Sequence, residues 1–229
     1  VGVGEAAYQK ALAYANERKQ GRTPVEGGSG AIIDHADVRR MLATMRTEVF
    51  AARSITLACA VALDMGRATG DADWKARAAF LTPIAKGFGS DTGIKVAEMG
   101  VQIHGGMGFI EETGAAQLSR DARITAIYEG TNGIQSMDLV GRKLMDGGDA
   151  AAALLDEIEE HAEQARSTRP RMAGLVWDAT ETLREATEWM VEQKDMNERF
   201  AGSVPFMAAF ARVLGAHYHL KAACAEGGN

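Results

Sequence analysis

The residues of this 229-residue chain best placed to do chemistry gather between Val101 and Gln135, VQIHGGMGFIEETGAAQLSRDARITAIYEGTNGIQ. Two glycine-marked breaks, Gly105-Gly106-Met107-Gly108 and Gly130-Thr131-Asn132-Gly133, interrupt a chain that otherwise reads as long helices. A backbone that leaves the helix twice in so short a span lets something approach it closely. Glu129 stands between a tyrosine and a glycine, at the mouth of the helix that follows the second break. A carboxylate in that place has two readings. It is either an acidic residue stabilised by a helix N-terminus or a general base. Ile127 and Tyr128, just ahead of it, are expected to shield it from water and so strengthen it as a base.

The run Gly105 to Gly108 differs from a dinucleotide-binding fingerprint, which needs a strand before it and a helix directly after. Here a helix comes first. A helix stop explains Gly105 alone, whereas three glycines in four residues leave a bare backbone able to press against a flat or anionic ligand. Arg18 sits on the stripe Val3, Ala7, Ala11, Tyr14, Arg18, so it continues an apolar face. It reads as a snorkelling arginine at a helix C-terminus or as a ligand contact. The five histidines form no metal site: His217 and His219 are two apart on a helix and point away from each other. No serine lies in a nucleophile motif.

The elements that must position these groups are helical. The first is expected over Val1–Gln20, ended by Gly21 and followed by a glycine-rich loop. Asp34 is expected to cap the second, whose apolar positions Val38, Leu42, Met45, Val49, Ala52, Thr56, Cys59 and Leu63 form a heptad seam. A short helical piece is expected over Trp74–Phe80. Pro83 then fits the first turn of a third helix with the stripe Leu81, Ala85, Phe88, Thr92, Val96, Met99 and Ile103, ended by Gly105. A short polar helix over 114–123, irregular chain over 124–130 and a helix over 132–145 follow. The loop Asp146–Asp149 marks a boundary, giving domains 1–145 and 146–229. Three helices are expected beyond it. The first carries Ala151, Leu154, Ile158, Ala162 and Ala165 inward and Glu157, Glu160 and Glu163 outward. The second carries Met172, Val176, Ala179, Leu183, Ala186 and Met190. The third is capped at Ser203 and carries Met207, Phe210, Leu214 and His217. The fold class is all-α, an up-down helical bundle with a helical extension.

Composition agrees. Hydrophobic residues make up 46% and aromatics 6%, which suits close helix packing better than a β-sandwich. A formal charge of −6 excludes nucleic acid as the main partner. Cys59 and Cys224 fall in apolar helical patterns and read as core residues of a protein in a reducing cytoplasm. No apolar run is expected to span a membrane, and no signal peptide opens the chain. The chain starts on a valine with the helical pattern already running, which suggests a piece of something longer.

QIHGGMGFIEE followed by RDARITAIYEGTNGIQ resembles the C-terminal helical domain of the acyl-CoA dehydrogenases, and VGVGEAAYQKALAYANERKQGR is similar to the family's lead into it. Together they cover about residues 1–145. The tail resembles that of a subgroup with a C-terminal extension, which includes the methylthiopropanoyl-CoA dehydrogenases. The resemblance implies FAD, an acyl-CoA substrate, electron-transfer flavoprotein as acceptor, and a homodimer or homotetramer. It implies Glu129 as the base that removes the α-proton while the β-hydrogen leaves as hydride, with Tyr128 and Gly130 flanking the acyl group. It further implies that Gln102, Gly105 and Gly106 meet the adenosine-diphosphate portion of FAD from a neighbouring subunit. Arg18 would pair with the pyrophosphate and Thr131 contact the flavin. Gln20-Gly21 stands where many relatives have phenylalanine-glycine, and Gly133 replaces a polar residue of some relatives. The alternatives are an acyl-CoA oxidase, or a helical oligomerisation module without catalytic role.

Overall fold

The structure, a computed structural model, describes residues 1–226. Among them it is all-α, in the order α1 (Gly2–Glu17), α2 (Ala36–Thr69), α3 (Ala72–His104), α4 (Gly106–Phe109), α5 (Ala115–Arg123), α6 (Asn132–Arg142), α7 (Asp149–Ala165), α8 (Pro170–Glu192), α9 (Met196–Ala201) and α10 (Ser203–Ala225). No strand occurs among the described residues, only an isolated antiparallel bridge between Lys19 and Ala31. The chain forms two compact units. The first comprises Val1–Phe50 and Ser90–Tyr128, the second Ala51–Gly89 and the chain from Glu129 onward. Helices α2 and α3 each contribute one part to each unit.

In the first unit, Ala7, Ala11 and Ala15 of α1 join Met41, Leu42, Met45 and Val49 of α2, and Val96, Ala97 and Ile103 of α3, in one buried cluster. Small residues allow the close approach: a Cβ at Gly4 would lie 3.5 Å from the Gly93 Cα. In the second unit, Phe80 of α3 meets Phe210 of α10 edge-on at 4.9 Å, with Phe206 at 5.9 Å from Phe210. The stripes expected on α7 (Ala151, Leu154, Ile158, Ala162, Ala165) and α10 (Met207, Phe210, Leu214, His217) are buried throughout.

Several boundaries differ from the sequence reading, each for a physical reason. Helix α3 runs unbroken through Pro83 instead of beginning there. Phe80, Leu81 and Ile84 around the proline are all at 0% exposure, so packing outweighs the lost backbone hydrogen bond. On α2 the heptad seam is buried at Leu42, Met45, Val49, Ala52 and Cys59, but Ile55 and Ala62 are buried where the seam calls for Thr56 and Leu63, both of which are exposed. The seven-residue period is kept, and from Ala51 onward the helix belongs to the second unit, whose core takes the earlier residue of each of those pairs. Asp34 does not cap α2. Its Oδ2 accepts from the Ser29 hydroxyl at 3.0 Å and the Gly30 N–H at 2.9 Å, closing the glycine loop instead. On α8, Val176, Leu183 and Met190 are buried, but Ala179 and Ala186 are exposed. Gly202, not Ser203, precedes α10, after a short α9 that the sequence pattern did not mark. Helix α2 is also apolar enough, over an 18-residue window of mean hydropathy 1.5, to cross a membrane by length and composition, contrary to expectation. Of that window 39% is buried: Ala52, Ile55, Cys59 and Ala62 are core, while Leu57, Val61 and Leu63 are exposed.

Candidate active site

The sequence-selected residues divide between the two units. Arg18, Gln102, Gly105, Gly106 and Tyr128 belong to the first, Glu129, Gly130 and Thr131 to the second.

Arg18 does not continue the buried face of α1. The helix ends at Glu17, and Arg18 follows in extended conformation (φ −70°, ψ 126°), its N–H donating to Tyr14 O at 2.9 Å. Its carbonyl accepts from the Ile32 N–H at 2.7 Å, beside the Lys19–Ala31 bridge. The side chain is exposed, with a guanidinium hydrogen bond of 3.3 Å to Gln20 Oε1.

At the first break, the Gly105 N–H donates to Gln102 O at 3.1 Å and the chain turns through φ 60°, ψ −138°, a region that only glycine occupies without strain. Gly105 and Gly106 are exposed, and a Cβ at either would meet nothing within 4 Å. Gly108 is the opposite: buried, with the Val101 carbonyl oxygen where a Cβ would stand. Under the break, His104 is 5% exposed, has Nδ1 2.7 Å from Gly100 O, and stacks on Tyr14 at 4.4 Å. Beside it, Val101, Gly108, Phe109, Ile110 and Arg120 help line an open groove of about 600 Å³, with Phe109 83% exposed.

The second break is built differently. A 3₁₀ turn over Ile124–Ala126 leads to Tyr128, whose N–H donates to Ile124 O at 3.2 Å. Glu129 then adopts φ 54° and is the non-glycine residue with positive φ among the described residues; Gly130 follows at φ 83°. Thr131 caps α6, its hydroxyl accepting from the Ile134 N–H at 3.3 Å. The shielding expected from Ile127 and Tyr128 is not provided within this chain. They are 47% and 51% exposed, and the Glu129 side chain lies in solvent. The short turn and the left-handed residue leave the segment on the surface.

Three residues that the sequence reading passed over hold this segment. Lys86 Nζ donates to Gly130 O at 2.7 Å and Asn132 Oδ1 at 2.8 Å, Asn132 Nδ2 donates to Gly87 O at 3.2 Å, and Gln135 Nε2 donates to Glu129 O at 3.2 Å. No local pattern marks Lys86, which lies 44 residues from Gly130 in the chain.

The second unit also gathers a polar cluster around a buried histidine outside this segment. His217 is 1% exposed with neither ring nitrogen hydrogen-bonded, 5.2 Å from the His161 ring and with Nε2 3.8 Å from Glu157 Oε1. Glu157, expected to face water, instead pairs with Arg77 at 2.5 Å. Burial first, then the Lys221 ammonium, lowers the His217 pKa from its ordinary 6.5 to about 4. Among the described residues, no group of three or more His, Cys, Asp or Glu side chains has the arrangement of a metal site.

The profile of the acyl-CoA dehydrogenase C-terminal domain matches residues 1–145, and that of an acetyl-CoA dehydrogenase C-terminal-like domain matches 154–228. The chain belongs to the acyl-CoA dehydrogenase family. It is 42% identical over 90% of its length to 3-methylmercaptopropionyl-CoA dehydrogenase of Ruegeria pomeroyi, and 33% identical over 93% to a butyryl-CoA dehydrogenase of Syntrophomonas wolfei. It spans 37% of the length of each. Its fold matches ACDH-11 of Caenorhabditis elegans in complex with C11-CoA (TM-score 0.81, 19% identity, 100% of this chain and 38% of that one). It also matches an acyl-CoA dehydrogenase complexed with FAD from Bacillus anthracis (TM-score 0.75, 22% identity, 99% and 41%). The all-α helical domain read from the sequence is thus the family's C-terminal fold.

Proposed function

We propose that this chain is the C-terminal part of an FAD-dependent acyl-CoA dehydrogenase in which Glu129 abstracts the α-proton of an acyl-CoA thioester. The observation that carries the reading is the left-handed backbone of Glu129, φ 54°. A non-glycine residue there costs of order 1–3 kcal/mol and persists where a side chain is needed in that place. Glycine would remove the strain and, with it, the carboxylate. FAD, when bound, accepts the β-hydrogen as hydride. The chain's own residues do the rest. Glu129 takes the α-proton on a carboxylate oxygen, and its N–H donates to the thioester carbonyl as enolate character develops. Tyr128 and Gly130 flank the acyl group. Desolvation of Glu129 falls to substrate and to the parts of the protein beyond this chain, since Glu129 is exposed here.

The residues assigned to FAD fit it. Gly105 and Gly106 offer open backbone with no Cβ, and the Arg18 guanidinium is exposed next to an extended strand-like turn. Gln102, Gly105 and Gly106 would meet the adenosine-diphosphate portion and Arg18 the pyrophosphate, each in a neighbouring subunit of a homodimer or homotetramer. Thr131, at the start of α6, would serve the flavin. Two relatives named for 3-methylmercaptopropionyl-CoA and butyryl-CoA support a short acyl group. Residues 1–145 form the family bundle and 146–229 the extension in this reading, supported by the two separate profile matches. Electron-transfer flavoprotein is the proposed acceptor and the cytoplasm the proposed compartment, the latter supported by two free cysteines.

The test is Glu129→Gln in the complete enzyme, which keeps size and most hydrogen bonding but cannot accept the proton. Anaerobic stopped-flow bleaching of the flavin by substrate is expected to slow by roughly 10²–10⁴-fold, with FAD content and acyl-CoA binding little changed. Bleaching near the wild-type rate would place the base elsewhere.

A further inference from the structure

A left-handed glutamate needs support from outside its own segment, and here that support converges on two neighbouring carbonyls. Gln135 holds the Glu129 carbonyl at 3.2 Å and Lys86 the Gly130 carbonyl at 2.7 Å. A peptide unit is planar, so fixing its carbonyl fixes the whole plane. The planes on both sides of Gly130 are then held, which fixes the torsions of Gly130 and one of the two planes that meet at the Glu129 Cα and set the direction in which its side chain leaves the backbone. Lys86 does more than make one bond. Its second proton goes to Asn132 Oδ1 at 2.8 Å, and Asn132 returns a bond to Gly87 O at 3.2 Å, closing a ring between α3 and the start of α6. An ammonium suits this task because it offers several protons from one point, and its charge-assisted bonds are short and strong.

We propose that Lys86 is a positioning residue for the Glu129 carboxylate, clamping the left-handed Glu129–Gly130 backbone, with Gln135, so that the carboxylate is presented at a fixed angle to the substrate. The assignment rests on the reading of Glu129 as the base. It predicts an effect on the chemical step and not on binding, because Lys86 is engaged with the protein's own backbone and not with a ligand.

The experiment uses the complete flavoenzyme and anaerobic flavin bleaching by saturating butyryl-CoA. Lys86→Met is expected to slow bleaching by roughly 10–100-fold, the scale on which a displacement of about 1 Å acts. The butyryl-CoA dissociation constant, FAD content and helical circular dichroism stay as in the wild type, and Lys86→Arg, which keeps charge and donors, recovers part of the loss. In a Glu129→Gln background, Lys86→Met has no further effect, because no carboxylate remains to be positioned. Wild-type bleaching by Lys86→Met, or an equal further loss in the Glu129→Gln background, overturns the clamp and leaves the base reading standing. Wild-type bleaching by Glu129→Gln alone overturns the base reading and the clamp with it. Should Lys86→Met fail to fold, Gln135→Leu, which frees only the Glu129 carbonyl, is expected to show the same pattern with a smaller loss. A wild-type rate there overturns the clamp equally.

Discussion

The chain breaks its helices at two glycine-rich places, and it does so by opposite means. At the first, the unusual torsion falls on Gly105, while Gly106 stays bare and Gly108 makes room for the Val101 carbonyl. That break needs only the absence of side chains. At the second, the left-handed torsion falls on Glu129, and side chains from α3 and α6 hold it there. The contrast separates two functions for irregular backbone. In the proposed reading, the glycine surface serves to be approached and the Glu129 side chain, held under strain by bonds from elsewhere, to be aimed. Buried histidines differ between the units in a parallel way. In the first unit His104 Nδ1 meets the Gly100 carbonyl; in the second both nitrogens of His217 are without hydrogen bonds.

The histidine contrast carries the largest expected stability effect. The folded-state pKa of His217, about 4, lies below its ordinary 6.5, so between these values the unfolded chain binds more protons than the folded one. Stability is therefore complete above pH 6.5 and falls as pH drops toward 4, by up to about 3 kcal/mol. The groups around the ring are Glu157 and His161 of α7, Arg77 of α3 and Lys221 of α10 itself. Denaturant melts across this range are expected to show the acid limb, and His217→Leu to flatten most of it. An unchanged slope in that variant would assign the acid limb to other groups.

Arg18→Ala tests whether the first unit serves a ligand. Loss of an arginine–pyrophosphate pair, roughly 1.5–3 kcal/mol, weakens FAD retention about 10–100-fold. Flavin released on dialysis of the complete enzyme, with unchanged helical circular dichroism, is the expected result. Full flavin content would return Arg18 to the role of a solvated residue at a helix end.

Gly108→Ala places a methyl group on the Val101 carbonyl oxygen, a clash with backbone that cannot rotate away. A destabilisation of about 1–3 kcal/mol is expected by denaturant titration, and a neutral outcome would mean that α4 shifts freely. The smallest effect sharpens the contrast most. Glu129→Gly and Glu129→Ala both remove the carboxylate, but only glycine is at ease at φ 54°. The glycine variant is expected to be the more stable by about 0.5–1 kcal/mol, since the left-handed cost of 1–2 kcal/mol is partly offset by the entropy of a freer unfolded chain. Equal stabilities would show that the site imposes no strain on Glu129.

Local order determined much of this protein. Apolar residues on α7 and α10 recur at helical spacing and are buried as that spacing requires, because a helix that hides one face must repeat it every turn. The glycine pairs marked both breaks, since few other residues leave a helix so cheaply. The motif around Glu129 identified the family, a relation confirmed by the match over residues 1–145. Tertiary structure decided what local rules leave open or misjudge. Pro83 stays inside α3 because Phe80, Leu81 and Ile84 are buried around it, and Arg18 leaves the helical face because its carbonyl pairs with Ile32. The left-handed torsion of Glu129 cannot be read from its neighbours in sequence. A strained torsion is stable only through the bonds that hold it, and one of those bonds comes from Lys86, on a different helix and 44 residues from Gly130.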